Sequence, residues 1–176
     1  NPPDPAETAH WSEVVLLEDM LFVLHRDGTV TRRTHAIIAP HGDQNLAEWD
    51  EIPRIFDRRK TAVTVRKASV HLPDGTERKA QRVQAQLDQH TSGLKLSFAP
   101  LRPGVIVELE IQEDQFVPDT VGPVLWTHLM LRTLAPCRRR RLMVAVAAPF
   151  TPRVELHHGA EAPVETRLND YRVLTW

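Results

Sequence analysis

Leu94-Lys95-Leu96-Ser97-Phe98-Ala99-Pro100-Leu101-Arg102-Pro103-Gly104-Val105-Ile106-Val107-Glu108-Leu109-Glu110-Ile111 decides the fold class. Leu94, Leu96 and Phe98 alternate with Lys95 and Ser97; Val107, Leu109 and Ile111 alternate with Glu108 and Glu110. A period of two is what a half-buried strand needs, because successive side chains point to opposite faces of a sheet. Between the two runs, Arg102-Pro103-Gly104-Val105 fits a type II turn, with Pro presetting φ at the second position and Gly tolerating positive φ at the third. The stretch therefore reads as an antiparallel hairpin.

Working outward, Trp11 to Arg26 is ambiguous. Val14, Leu17, Leu21 and Leu24 would line a helix face, whereas Leu16, Met20, Phe22 and Leu24 would line a strand face. Asp27-Gly28 and the β-branched residues from Val30 to Ile38 arbitrate for strand, turn and strand. The pattern lapses from His41 to Glu51, where Ala47-Glu48-Trp49 reads as a short helical turn. Thr61 to Leu72 is strand-like and Pro73-Asp74-Gly75 closes it. Thr76 to Leu87 continues as one polar edge strand. Asp114 to Pro123 reads as a loop, and Val124 to Leu134 and Arg138 to Ala148 as strands. Val154 to His157, Val164 to Arg167 and Tyr171 to Trp176 read as short final strands. Closely spaced strands without a long helix predict an all-β antiparallel sandwich of immunoglobulin-like two-sheet architecture.

The chain has 176 residues and a net charge of −1, which bounds it to one domain and gives no electrostatic case for nucleic acid. Its longest nearly apolar run, Leu142 to Phe150, is far short of the roughly 20 residues that span a bilayer. No signal peptide is visible, and the compartment stays open between cell envelope or periplasm and cytoplasm. Residues 1–12 read as a linker or as the boundary of a piece cut from a longer protein, and 13–176 as the sandwich.

No catalytic constellation stands out. Arg138-Arg139-Arg140-Arg141 suggests a phosphate or nucleic-acid patch, but alternate arginines on a strand face opposite ways. Pairing with carboxylates at the solvated end of a strand fits better. His157-His158 beside Glu155, and His10, His25, His35, His41, His71, His90 and His128 elsewhere, lack metal-ligand spacing, so no metal or other cofactor is expected. Cys137 sits between Pro136 and a strand, poor geometry for an activated nucleophile, and reads as a small apolar filler. Asp27, Asp74, Asp114 and Asp119 stand beside turn signals and read as turn residues. Among Trp11, Trp49, Trp126 and Trp176, core packing is the default. Trp49 in a polar segment and Trp176 at the end are candidates for contact with another domain.

The segments taken in order carry a resemblance: a strand into Asp27-Gly28 with Val30-Thr31-Arg32-Arg33, Lys60 to Leu72 into Pro73-Asp74-Gly75, and Phe98 to Gly104 before Val105 to Glu110. Leu134-Ala135-Pro136 then precedes an arginine-rich strand, and Tyr171 to Trp176 closes the pattern. Over residues 13–176 this resembles the β-rich domain of unknown function that precedes transglutaminase-like cores in bacterial proteins. The resemblance implies a sandwich without activity of its own, lying before a papain-like Cys–His–Asp domain that would be its partner. Cys137 does not match that core's nucleophile, so no catalytic residue carries over. The expected role is a non-catalytic accessory domain; the alternative is a free-standing module that binds a protein, peptide or glycan.

Overall fold

A computed structural model describes residues 11–41, 46, 49–98, 100–116 and 135–176. Its strands are β1 (Glu13–Leu24), β2 (Val30–Pro40), β3 (Glu51–Asp57), β4 (Thr61–His71), β5 (Glu77–Lys79), β6 (Gln81–Gln86), β7 (Thr91–Ser97), β8 (Ile106–Gln115), β9 (Arg140–Ala147), β10 (Val164–Leu168) and β11 (Tyr171–Thr175). Eight of them form one sheet in the order β10-β11-β9-β1-β2-β8-β4-β5, and three form a second sheet in the order β3-β7-β6. The two-sheet, nearly all-β architecture agrees with the expectation. One pairing departs from a wholly antiparallel design: β1 and β9 run parallel.

The small sheet covers one face of the large sheet over β8 and β4. There Leu94 and Leu96 of β7 meet Val107, Leu109 and Ile111 of β8 and Val70 of β4 in a single cluster. Leu96, Val107 and Val70 are fully buried, and each such aliphatic side chain contributes roughly 1.5–3 kcal/mol by leaving water. Two arginines stitch the sheets together. Arg82 of β6 donates to the Val65 carbonyl of β4 at 2.7 Å, and Arg78 of β5 donates to the carbonyls of Phe98 and Pro100. The same face of the large sheet continues through Met20, Phe22 and Leu142, which form a second buried cluster with Val144 and Trp176 packed against it.

Several expectations need correction. The runs around Leu96 and Leu109 do not form a hairpin: β7 and β8 belong to opposite sheets, and the turn at Gly104 (φ +85°) carries the chain between them. Alternation predicted the buried face of each run, which both send into the same core, but not the pairing partner. Thr76 to Leu87 is two edge strands, not one; the chain leaves the large sheet after β5 and enters the small one at β6, with the Ala80 amide donating to the Ala68 carbonyl. Glu51–Asp57, unassigned from sequence, is an edge strand of the small sheet, a place where Pro53 is tolerated. Val154 to His157 has no regular structure, and β8 runs on to Gln115, so Asp114 lies in a strand. The short helical turn is present at Trp49 and Asp50. The strand expected over Val124 to Leu134, with Trp126, His128 and Asp119, lies outside the described residues, as does His10.

Candidate functional site

Register assigns every strand residue of the large sheet to a face. On the face turned away from the small sheet, Thr31 stands opposite Asp114, Arg33 opposite Gln112, His35 opposite Glu110 and Ile37 opposite Glu108. Apart from Ile37, these positions carry polar groups that a one-sided sheet sends to solvent. They are tied into two networks.

In the first, the Thr31 hydroxyl donates to Asp114 Oδ1 at 2.7 Å, so it accepts from Nε2–H of His25 at 3.0 Å. In the neutral imidazole His25 Nδ1 then accepts from the Tyr171 hydroxyl at 3.0 Å. The relay therefore runs Tyr171 to His25 to Thr31 to Asp114, which also receives both bonds of the Gln112 amide at 2.9 and 2.8 Å. In the second, Glu108 accepts from His35 Nε2 at 3.0 Å and from His71 Nε2 at 2.8 Å, with Lys67 Nζ at 3.7 Å and Lys67 in turn 2.8 Å from Glu77. Burial pushes the Glu108 carboxyl up, but the hydrogen bonds from His71 and His35 and the charge of Lys67 outweigh it and hold it below its ordinary value. The Glu77 carboxyl is lowered chiefly by Lys67. Every acid in these networks is already engaged by a donor, and neither network contains a thiol or a free hydroxyl nucleophile. Among the described residues no group of three His, Cys, Asp or Glu is placed to hold a metal.

The candidates from sequence stay apart. Arg140 and Arg141 face opposite ways, Arg140 pairing with Glu18 at 2.8 Å and Arg141 with Asp19 at 2.7 Å, so they make no common patch. Cys137 is half-buried beside β1 and its thiol is pushed up by burial and then by the charge of Glu18, the opposite of nucleophile activation. His157 and His158 lie in an exposed turn, not on a strand, with His158 at φ +55°. Asp27 and Asp74 are turn residues: each accepts from the amide and hydroxyl of the threonine two residues on, Thr29 or Thr76. Asp114 is an acceptor within β8. Trp49 Nε1 donates to Glu13 Oε2 at 3.1 Å and Trp176 Nε1 to the Glu161 carbonyl at 3.0 Å, so both half-buried indoles use their N–H groups inside the domain.

Sequence reasoning missed a cleft. Arg32, Thr34 and Ala36 of β2, Arg54 of β3 and Leu109, Ile111 and Glu113 of β8 line a space of about 280 Å³. The available signal was Arg32 itself, a charged residue at an inward position in the series Val30, Arg32, Thr34, Ala36 and Ile38.

Among solved structures, the fold is shared with a protein from Parabacteroides distasonis ATCC 8503, provisionally described as a protease. The TM-score is 0.76 at 14% identity, over 94% of this chain and 35% of that one. Lower in likeness are an M1 zinc metallopeptidase from Deinococcus radiodurans (TM-score 0.47, 15% identity, 94% of this chain and 38% of that one) and yeast LTA4 hydrolase with bestatin (0.43, 14%, 93% and 26%). The chain thus spans about a third of the longer proteins it matches. No curated protein matches it in sequence. The family model of the domain of unknown function DUF3857, a domain with a solved structure, matches residues 26–176, and the chain belongs to that family.

Proposed function

We propose that this chain is a non-catalytic accessory domain that packs against, and guides substrates to, a transglutaminase-like core in the same polypeptide. The observation that carries the reading is the other half of the outward sheet face. There Val164 and Leu168 of β10, Val173 of β11, Met143 and Ala145 of β9 and Leu21 and Val23 of β1 share one side by register. Val164 and Leu168 are 68% and 66% exposed, Leu21, Val23, Met143 and Val173 are half-buried and Ala145 is buried. A contiguous apolar area at the end of a sheet is what an interdomain contact consumes. The match to about a third of a longer chain supports the same reading, since folds of this shape sit inside larger polypeptides. Trp49 and Trp176 pack against the core clusters on the opposite face, so they are candidates only for a contact that extends round the edge of the sheet.

Hydrogen exchange measured on this chain alone and within its full-length parent tests the reading. Slower exchange in β9, β10 and β11 of the parent is expected, with no hydrolysis or crosslinking of peptides by the isolated chain. Equal exchange in both forms would rule out packing and leave the free-standing binding module, which the cleft lined by Arg32 and Arg54 favours.

A further inference from the structure

We propose that the cleft between the sheets binds a free amino acid, or the terminal residue of a short peptide, with an apolar side chain and a free carboxylate. This goes beyond the accessory role and holds whatever domain follows. Among the other sheet arginines, Arg33, Arg140, Arg141 and Arg172 pair with carboxylates, and Arg66, Arg78 and Arg82 bond amide or carbonyl oxygens of other strands or loops. The arginines of the cleft make neither kind of cross-strand bond. Arg32 stands directly opposite Glu113 in the β2–β8 register, so their side chains leave adjacent positions on one face. Yet the Arg32 guanidinium lies over the Phe22 ring, 5.6 Å from its centroid. Arg54, reaching in from β3, bonds only the carbonyl of its neighbour Pro53, at 3.2 Å. Among the described residues neither arginine has a carboxylate partner, and Glu113 has no cation.

The three charges surround an apolar floor. Ala36 lies on it beside Leu109 and Ile111, which are almost wholly buried. Two guanidinium forks match a carboxylate, to which planar bidentate bonding is strongest. Glu113 disfavours a multiply charged phosphate and supplies an acceptor for an ammonium group. The floor takes the side chain. At about 280 Å³ the space is just below the range of small-molecule sites, which begins at about 300 Å³, and suits a single residue rather than a folded partner. Stacking on Phe22 holds Arg32 in place before binding, so less rotamer freedom is lost when the ligand arrives.

Titration of the 176-residue chain with L-leucine, L-leucinamide, N-acetyl-L-leucine and inorganic phosphate, followed by calorimetry or amide NMR shifts, tests this. Leucine should bind, and leucinamide, which lacks the carboxylate, should bind roughly tenfold more weakly or worse. Arg54→Gln should weaken leucine by a similar factor, and Glu113→Gln should erase the preference for leucine over N-acetyl-leucine. Arg32→Gln also removes the stacking on Phe22, so the exposed Arg54 is the decisive variant. Equal binding of leucine and leucinamide, tighter binding of phosphate than of leucine, or an Arg54→Gln protein that binds as the parent does would each overturn the proposal.

Discussion

Glu108 occupies a position where a sheet ordinarily shows solvent an uncomplicated charge, yet only 17% of its side chain is exposed and two imidazoles and a lysine close around it. Its depressed carboxyl makes the cluster a contributor to stability with a definite sign. A carboxyl whose folded value lies below its ordinary value of 4.5 stabilises the fold above that pH, and the contribution disappears as pH falls through the folded value. The Glu108→Gln protein should therefore be less stable than the parent at pH 7 and lose less of its stability on acidification. Urea midpoints at pH 7 and pH 3.5 measure both, and parallel losses in the two proteins would assign the acid sensitivity elsewhere. None of this was legible in the sequence, where His35, His71 and Glu108 are separated by dozens of residues and only the β2–β8–β4 register brings them together. The turn aspartates Asp27 and Asp74 were legible, because their partners stand two residues away.

Among the elements, the turns marked by Asp-Gly and Pro-Gly were read correctly, whereas Val154 to His157, Asp114 and Glu51–Asp57 were not, and the pairing that distance decides was not. Asp27-Gly28 specified the β1–β2 hairpin, with Gly28 at φ +84°. The turn at Pro103-Gly104 was also right, but a turn fixes a change of direction and not which sheet the chain enters next. The strands it joins carry the core between them, so Leu96→Ala should cost about 2–5 kcal/mol in denaturant unfolding, the range for a fully buried leucine. A loss below about 1 kcal/mol would mean the two sheets are only loosely packed there. Gly104 adds a steric argument: at φ +85° a side chain is strained, and a Cβ would approach Pro73 Cγ to 3.3 Å. Gly104→Ala should destabilise by roughly 1–3 kcal/mol. The β5–β6 crossing was hidden for a different reason: Thr76 to Leu87 is mostly polar, and the alternation of Val83, Ala85 and Leu87 with glutamines carries no mark of the point at which the strand changes sheets.

At the scale of the molecule, the described residues form an eight-stranded sheet with a three-stranded one on one face, and the outward side divides into a charged half and a more apolar half. Alternation and turn signals made an all-β, two-sheet fold legible; the division did not show, because it depends on which strands become neighbours. The parallel contact of β1 with β9 has a consequence for the order in which the molecule is made. By residue 115 the ribosome has released β1, β2, β4 and β8 and all three strands of the small sheet, yet one side of β1 has no partner until Arg140–Ala147 emerges. During that interval the backbone amides and carbonyls along β1 are an open template for another chain. A protein ended after Phe116 should consequently self-associate through β1. Sedimentation should find it larger than a monomer, and placing a lysine at Leu21 or Val23 should return it to one. A truncated chain that stays monomeric would show that β1 is guarded before its partner arrives, and the sheet would then be completed by displacement rather than by addition.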